Sequence, residues 1–392
     1  MSSNGTRTAD VVIVGAGVMG ASIAFHLAQR KAGRVLVLDK DHVGSGGSGR
    51  SSALIRMHYS FPAEVQLALV SLRMFERWEE LVGERTLFQK TGFVRIVHPN
   101  EMERLRSNVE MQRRLGVNVQ LISQQELRDL EPDWTVDEVE YAAYEPDSGY
   151  GDGAGVANDF LARARESGVS YVPRTRVKGF VVKSGQVWGV DTEQGEIHAK
   201  TVVVAAGPWS RPLFENVEYE IPIETEYHQV AILKNAPDTR SGGCACIDSG
   251  TATYFRPDGP DKFLVGDFYG TRPIDPDNFP QRASDESLEE LIERACRRVP
   301  KLQNAEVMRG VTGVYDMTPD SRPLLGEVPG IAGLYVCAGF SGMGFKISPA
   351  IGLVMSELLL DGAGKTVDIS AFCPSRFAEQ RPIKAEFEYV DD

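Results

Sequence analysis

Glycines at positions 15, 17 and 20 lie between an apolar run, Val11-Val12-Ile13-Val14, and a segment with an apolar helical stripe, Ala21, Ala24, Phe25, Leu27 and Ala28. Their spacing fits G-x-G-x-x-G, in which each glycine meets a different steric demand. Gly15 makes a tight turn, Gly17 lets backbone amides approach a pyrophosphate, and Gly20 lets the helix pack close to the sheet. A second apolar run, Val35–Leu38, ends in Asp39, 19 positions after Gly20, where a carboxylate can accept hydrogen bonds from a ribose. Glycine-rich turns also occur in ordinary strand–helix–strand units, so the motif alone is weak. The strand before it, the helix after it and the acid beyond it together point to a dinucleotide.

A second candidate is Gly44-Ser45-Gly46-Gly47-Ser48-Gly49-Arg50-Ser51-Ser52. Bare amides and hydroxyls suit phosphate and ring contacts; the bland alternative is a flexible surface loop. Arg56 follows in an apolar approach between Ile55 and Met57, where it is either a substrate anchor or half of a surface ion pair. His58, one of 6 histidines, is close by. The five cysteines, Cys244, Cys246, Cys296, Cys337 and Cys373, show neither disulfide-framework nor C-x-x-C spacing. Reduced thiols, a cytoplasmic setting and no metal site are expected.

The elements that must position these residues belong to a globular chain of 392 residues, 42% hydrophobic and 25% charged, long enough for two domains. A net charge of −13 with no offsetting basic cluster argues against a nucleic-acid partner. The Val11–Leu27 stretch, with its glycines and His26, reads as neither signal peptide nor membrane span. Helical patterning covers 62–81, 101–115, 124–130, 157–167, 286–298 and 349–360, the last with Ser348 as N-cap and Pro349 as first helical residue. Strand patterns cover 169–173, 176–182, 186–192, 201–204 and 333–338, with strand-rich sequence over 221–270. Nucleotide-fold pieces stand at the start, middle and end, with strand-rich pieces between them. The expected fold class is therefore α/β, an α+β two-domain chain. A Rossmann-like domain is built from 1–88, 146–214 and 308–392, and a strand-rich substrate domain with an antiparallel sheet from 89–145 and 215–307.

The chain resembles the flavin-dependent amino-acid and amine oxidase superfamily of D-amino-acid oxidase type, which includes sarcosine oxidase and glycine oxidase. The likeness runs from Val11 to about Leu360. Four segments carry it: the glycine motif with Asp39; Gly49-Arg50-Ser51-Ser52 leading to Ile55-Arg56; Val204-Ala205-Ala206-Gly207-Pro208-Trp209; and Thr318-Pro319-Asp320 with Gly339-Phe340-Ser341-Gly342-Met343-Gly344-Phe345-Lys346. The last pair is most similar to the sarcosine oxidase branch, including its beta-subunit. The resemblance implies FAD, held by Gly15, Ala16, Gly17, Gly20, Asp39 and Lys40, by Ser45, Ser48, Arg50, Ser51 and Ser52, by Val177, Ala206, Gly207 and Trp209, and by Gly342, Met343, Gly344, Phe345 and Lys346. Covalently flavinylated relatives carry a cysteine two positions before the tyrosine of the Thr-Pro-Asp loop. Here Gly313 and Val314 precede Tyr315, so the resemblance implies non-covalent FAD.

The same resemblance implies that Arg56 and Lys346 bind a substrate carboxylate, with Tyr254 and Tyr315 around the substrate; both tyrosines could equally be core residues. A guanidinium fork suits a carboxylate geometrically. The helix after Lys346 would aim its N-terminus at the flavin edge that becomes anionic on reduction. Two departures stand out. Ala53 replaces a second arginine of close oxidase relatives. Leu264 replaces their oxygen-promoting lysine, with Lys262 two residues further off and Asp267-Phe268 in place of a histidine. The reading is FAD-dependent oxidation of a small amino acid or secondary, sarcosine-like amine by hydride transfer, giving an imine that hydrolyses. The electron acceptor is O2 or an electron-transfer partner, with the balance toward a dehydrogenase. The chain acts alone or as a subunit of a larger oxidase complex. The rivals are a 2-hydroxy acid or polyol phosphate oxidoreductase and a non-catalytic flavin-binding subunit.

Overall fold

A computed structural model describes residues 7–389 except 85, 237–242 and 272. The strand Arg7–Val14 pairs in parallel with Val35–Leu38 on one side and Gly195–Val204 on the other. Val12, Ile13 and Val202–Val204 have no solvent exposure, because elements cover both faces of this sheet. Ser170–Val172 extends it beyond Val35–Leu38. The long strand Gly195–Val204 pairs first with the hairpin Val177–Lys183/Gln186–Thr192 and then, in parallel, with Leu334–Ala338.

Helix Val18–Gln29 packs between Gly153–Glu166 and Gly344–Asp361 on one face of the sheet. Two glycines fix its departure from the first strand. Gly15 has φ +109°, and a Cβ at Gly20 would stand 1.9 Å from the Gly15 carbonyl oxygen.

The last helix departs from the sequence expectation. It begins at Gly344, so Ser348 and Pro349 are inside it rather than at its cap. Proline there leaves the Phe345 carbonyl without its amide donor, and Ser348 Oγ donates to that carbonyl at 2.8 Å. The helical pattern of 62–81 is likewise broken at Arg77, into Pro62–Glu76 and Trp78–Val82.

A second eight-stranded sheet runs in the order Glu306–Met317, Glu224–Lys234, Lys262–Asp267, Thr253–Pro257, Ala245–Asp248, Phe93–Ile96, Tyr141–Glu145, Gln120–Ser123. Glu306–Met317 pairs along Glu224–Lys234 from end to end, so this sheet continues past a boundary drawn at 308. One face carries Val94, Ile96, Phe255, Phe263 and Val265 under the amphipathic helix Asp285–Arg298. The other face carries Phe93, Ile247, Tyr254 and Leu264 and meets Leu54, just after the glycine-serine loop. Among the described residues no helix is long and apolar enough to cross a membrane, and all five cysteines are unpaired.

Candidate active site

A cavity of about 600 Å³ opens at the C-terminal ends of the parallel strands, where Val14, Leu38, Ala205 and Cys337 line it. Ligands of open parallel sheets bind at such strand ends. Of the residues expected around a dinucleotide, Gly15, Gly17, Asp39, Lys40, Ser45, Ser48, Arg50, Ser51, Val177, Ala206, Gly207, Trp209, Gly342, Gly344 and Phe345 line this cavity. Ala16 instead donates its amide to Asp39 Oδ2 at 2.7 Å, and the Asp41 amide reaches Oδ1 at 2.8 Å. Burial raises the Asp39 pKa against these two donors. Gly20 packs beneath the turn. Ser52 gives its carbonyl to Arg256 Nε at 2.6 Å, and Met343 is the N-cap position of the last helix.

Several features test whether FAD fits. Helix Val18–Gln29 starts at Gly17, which has no capping side chain, and Ser48 Oγ accepts the Val18 amide at 3.0 Å. The first turn therefore directs its dipole at the middle of the cavity. Helix Gly344–Asp361, also without a side-chain cap, begins at the same cavity. A half-buried acid, an anion-favouring helix end and a second helix end thus line a single cavity. Those groups suit ribose, pyrophosphate and an electron-accepting ring, so FAD fits. Cys337 is the only cysteine lining it among the described residues, and burial, with Asp316 nearby, pushes its thiol well up, so it stays protonated and unreactive. Asp277, which the sequence pattern did not single out, borders the cavity and binds Lys40, Trp209 Nε1 (2.7 Å) and Arg176 (3.3 Å).

Arg56 and Lys346 converge from opposite sides of the chain on one ring. The Arg56 guanidinium carbon stands 4.4 Å from the Tyr59 ring centre and 5.8 Å from that of Phe93, and Lys346 Nζ stands 6.0 Å from Tyr59. Lys346 Nζ donates to the Gly342 carbonyl at 3.3 Å, which ties it to the turn at the cavity's end. Burial and the Arg56 charge push the Lys346 pKa well down, opposed by Glu64. Arg56 donates to the His58 carbonyl, and its Nε is buried without a hydrogen-bond partner. His58 turns away toward the chain's end, with Nε2 2.8 Å from the Tyr389 hydroxyl. Burial, with Arg95 and Arg56 nearby, lowers its pKa well below the usual histidine value, so it is neutral.

Tyr254 and Tyr315 share a hydrogen bond across one face of the second sheet, and burial raises both hydroxyl pKa values. Gly266 makes room for this: a Cβ there would stand 1.9 Å from Tyr254 Cζ. Tyr315 stacks on His228 with centroids 4.0 Å apart, and His228 Nε2 lies 3.0 Å from Glu226 Oε1. Leu264 shares the Tyr254 face, and Lys262 starts the same strand in unbroken register from Lys234↔Lys262 to Val230↔Gly266. No shifted turn brings Lys262 into the Leu264 place.

Sequence reasoning passed over Glu145, which is completely buried and ends the strand Tyr141–Glu145. It accepts the Met57 amide at 2.9 Å and the Ser148 hydroxyl at 2.6 Å, so it fixes the backbone between Arg56 and His58. Burial lifts its pKa to about 7. Asp316, lifted by burial to about 6, accepts the Gly339 amide and shapes the loop before Gly342. The Thr-Pro-Asp motif is tied into the fold: Asp320 takes a two-pronged ion pair from buried Arg376 at 2.8 Å and the Ile383 amide at 2.9 Å.

The comparisons agree with this geometry. The family described as FAD dependent oxidoreductase (DAO) matches residues 10–358. The sarcosine oxidase subunit beta of Arthrobacter sp is 26% identical over 90% of this chain and 87% of its own length. The mitochondrial pyruvate dehydrogenase phosphatase regulatory subunit of Mus musculus is 26% identical over 90% of this chain, which spans only 42% of that relative. Among solved structures, L-proline dehydrogenase from P.horikoshii superposes with a TM-score of 0.90 at 27% identity, covering 96% of this chain and 100% of that one. A match over nearly the whole chain, on a cavity built to hold FAD, leaves one assignment: the protein belongs to the FAD dependent oxidoreductase (DAO) family.

Proposed function

We propose that this chain oxidises a small amino acid or a secondary, N-methyl-type amine at non-covalently held FAD, using Arg56 and Lys346 to anchor the substrate carboxylate. The observation that carries the reading is the meeting of these two cations at Tyr59, beside the turn that ends the cavity. FAD, when bound, supplies the acceptor for a hydride leaving the carbon next to the nitrogen. The nitrogen lone pair then forms the C=N bond, and water converts that imine to a carbonyl compound and an amine.

The chain's own residues do the rest. Arg56 offers a fork to the carboxylate, and Lys346 takes up a proton as the anion arrives, because its depressed pKa recovers beside a negative charge. Tyr254 and Tyr315 keep their protons, so they orient the substrate by hydrogen bonding without acting as bases. Neutral His58, directed at Tyr389, is a positioning residue for the Arg56 loop. The first sheet and its helices hold the cofactor, and the second sheet supplies the substrate's roof. Leu264 gives no charge to favour superoxide formation, so an acceptor other than O2 fits best. Two of the relatives are subunits by name, and work within a larger assembly suits such an acceptor.

Anaerobic mixing of the FAD-loaded protein with N-methyl, cyclic and primary amino acids, and with 2-hydroxy acids, tests the reading. Bleaching of the flavin by amino acids alone supports it. Bleaching by hydroxy acids alone assigns the chain to hydroxy-acid oxidation, and bleaching by nothing makes it a non-catalytic flavin carrier.

A further inference from the structure

Arg95 is a third cation that neither the cofactor nor the carboxylate anchor uses. It is 3% exposed, in the centre of the second sheet. It pairs in register with Ile247, which pairs with Tyr254, so the three stand in a row across one face of the sheet. Phe93 precedes it on that face by about 6.6 Å of strand, and the Arg56 guanidinium lies 5.8 Å from the Phe93 ring. Arg95 Nη1 donates to Ser249 Oγ at 2.9 Å and to the Ile96 carbonyl at 3.2 Å, whereas Nη2 is buried with no hydrogen-bond partner. The group lies over the Tyr389 ring at 4.9 Å and the Phe268 ring at 5.7 Å.

Among the described residues no carboxylate comes within ion-pair distance of Arg95. Glu64 already pairs with Arg322 at 3.2 Å, and Glu145 is committed to the Met57 amide and Ser148. Arg95 is therefore a buried guanidinium without a counter-ion among the described residues, and it shares the surroundings of His58 with Arg56. A buried charge without a counter-ion is strongly unfavourable. A ligand carrying two negative charges would relieve it.

We propose that Arg95 is a second anion-binding residue beside the Arg56 carboxylate anchor, and that the substrate is a dianionic amino acid whose side chain carries a second carboxylate. The first carboxylate meets Arg56 and Lys346; the second, a short aliphatic spacer away across Phe93, meets Arg95 Nη2. This rests on the amine-oxidising reading of the same site.

Calorimetric titration of the FAD-loaded protein with succinate and with succinamate, its singly charged isostere, tests the second anion site without turnover. A charge-assisted hydrogen bond predicts about 10- to 100-fold tighter binding of succinate. Arg95→Met brings succinate down to the succinamate level, and Arg95→Lys keeps part of the preference. Equal affinities in the native protein, binding of neither ligand, or an equal loss of both in Arg95→Met overturns the proposal. Anaerobic addition of N-methylaspartate separates the two readings. If succinate is preferred but N-methylaspartate leaves the flavin oxidised, amine oxidation fails while the anion site stands.

Discussion

Replacing Glu145 by glutamine should stabilise the protein in alkaline solution far more than in acid. The carboxyl is fully buried, and its pKa rises from 4.5 to about 7 on folding. Between those values the folded chain holds a proton that the unfolded chain has released. Raising the pH therefore withdraws stability, which is fully present below 4.5 and fully lost above 7. The shift corresponds to about 3 kcal/mol at pH 8, and to under about 1 kcal/mol at pH 5, only half a unit above the unfolded value. Glutamine keeps an acceptor for the Met57 amide and the Ser148 hydroxyl, so the hydrogen bonds survive the change. Asp316, also raised by burial, titrates in both proteins and cancels. Urea unfolding of the FAD-loaded protein and its variant at pH 5 and pH 8 measures the difference. The gain should grow with pH by about 2 to 3 kcal/mol. A constant difference, or a loss that deepens at pH 8, would show instead that the ionised carboxylate is a stabilising partner of Arg56. Function should follow the same titration: the KM of a carboxylate-bearing amine rises above pH 7 as Glu145 ionises beside Arg56, and stays flat in Glu145→Gln.

Other expectations concern the site directly. Arg56→Met retains FAD but loses about 10- to 150-fold in kcat/KM on carboxylate-bearing amines, with little change on amines lacking one; an equal loss on both would make Arg56 a structural residue. Gly266→Ala drives a methyl into the Tyr254 ring and should cost about 1–3 kcal/mol, recovered in part by shortening Tyr254 to leucine; urea unfolding of the single and double variants checks this. Acid precipitation should leave all yellow colour in the supernatant, since among the described residues the one thiol lining the cavity, Cys337, is held protonated; colour in the pellet contradicts non-covalent binding. Stopped-flow mixing of the reduced protein with air-saturated buffer should show reoxidation slower than turnover, accelerated by Leu264→Lys.

What could be read from the sequence and what could not divide along physical lines. The glycine motif, Asp39 and the apolar strand runs are local: spacing within a few residues dictates a turn, a helix start or a buried strand. The same holds for the helix 124–130, where Ser123 and Glu126 form a reciprocal cap. The start of the last helix was misread because Ser-Pro is a local signal for a helix end, and tertiary packing overrode it with a side-chain donor for the orphaned carbonyl. Arg95, Glu145 and Asp277 leave no trace in local pattern. Each acquires its role from a partner far along the chain: Met57 for Glu145, Lys40 for Asp277, and the aromatic end of the chain for Arg95. A glycine in a strand does signal a close approach, and Gly266 could have been found on that ground without naming Tyr254 as the ring that lies there.

The site joins two electrostatic regimes. Along the cofactor cavity, helix ends and amides would face the anionic parts of FAD, and the lining cations Lys40 and Arg176 are paired with Asp277. Beyond the Gly342–Gly344 turn charge is managed by side chains, and there the balance tilts to positive, with Arg56 and Arg95 charged, Lys346 pushed toward its neutral form, and the Glu145 carboxyl largely protonated below pH 7. A protein could lessen that cost by burying fewer cations. That it retains them, one with a depressed pKa and two with unsatisfied guanidinium nitrogens, is the arrangement expected when the missing anions arrive with the substrate. The same imbalance bears on the amine. A positive surround disfavours an ammonium ion and favours the neutral nitrogen whose lone pair must form the C=N bond. Carboxylate anchoring and amine deprotonation would then be two consequences of one set of buried charges.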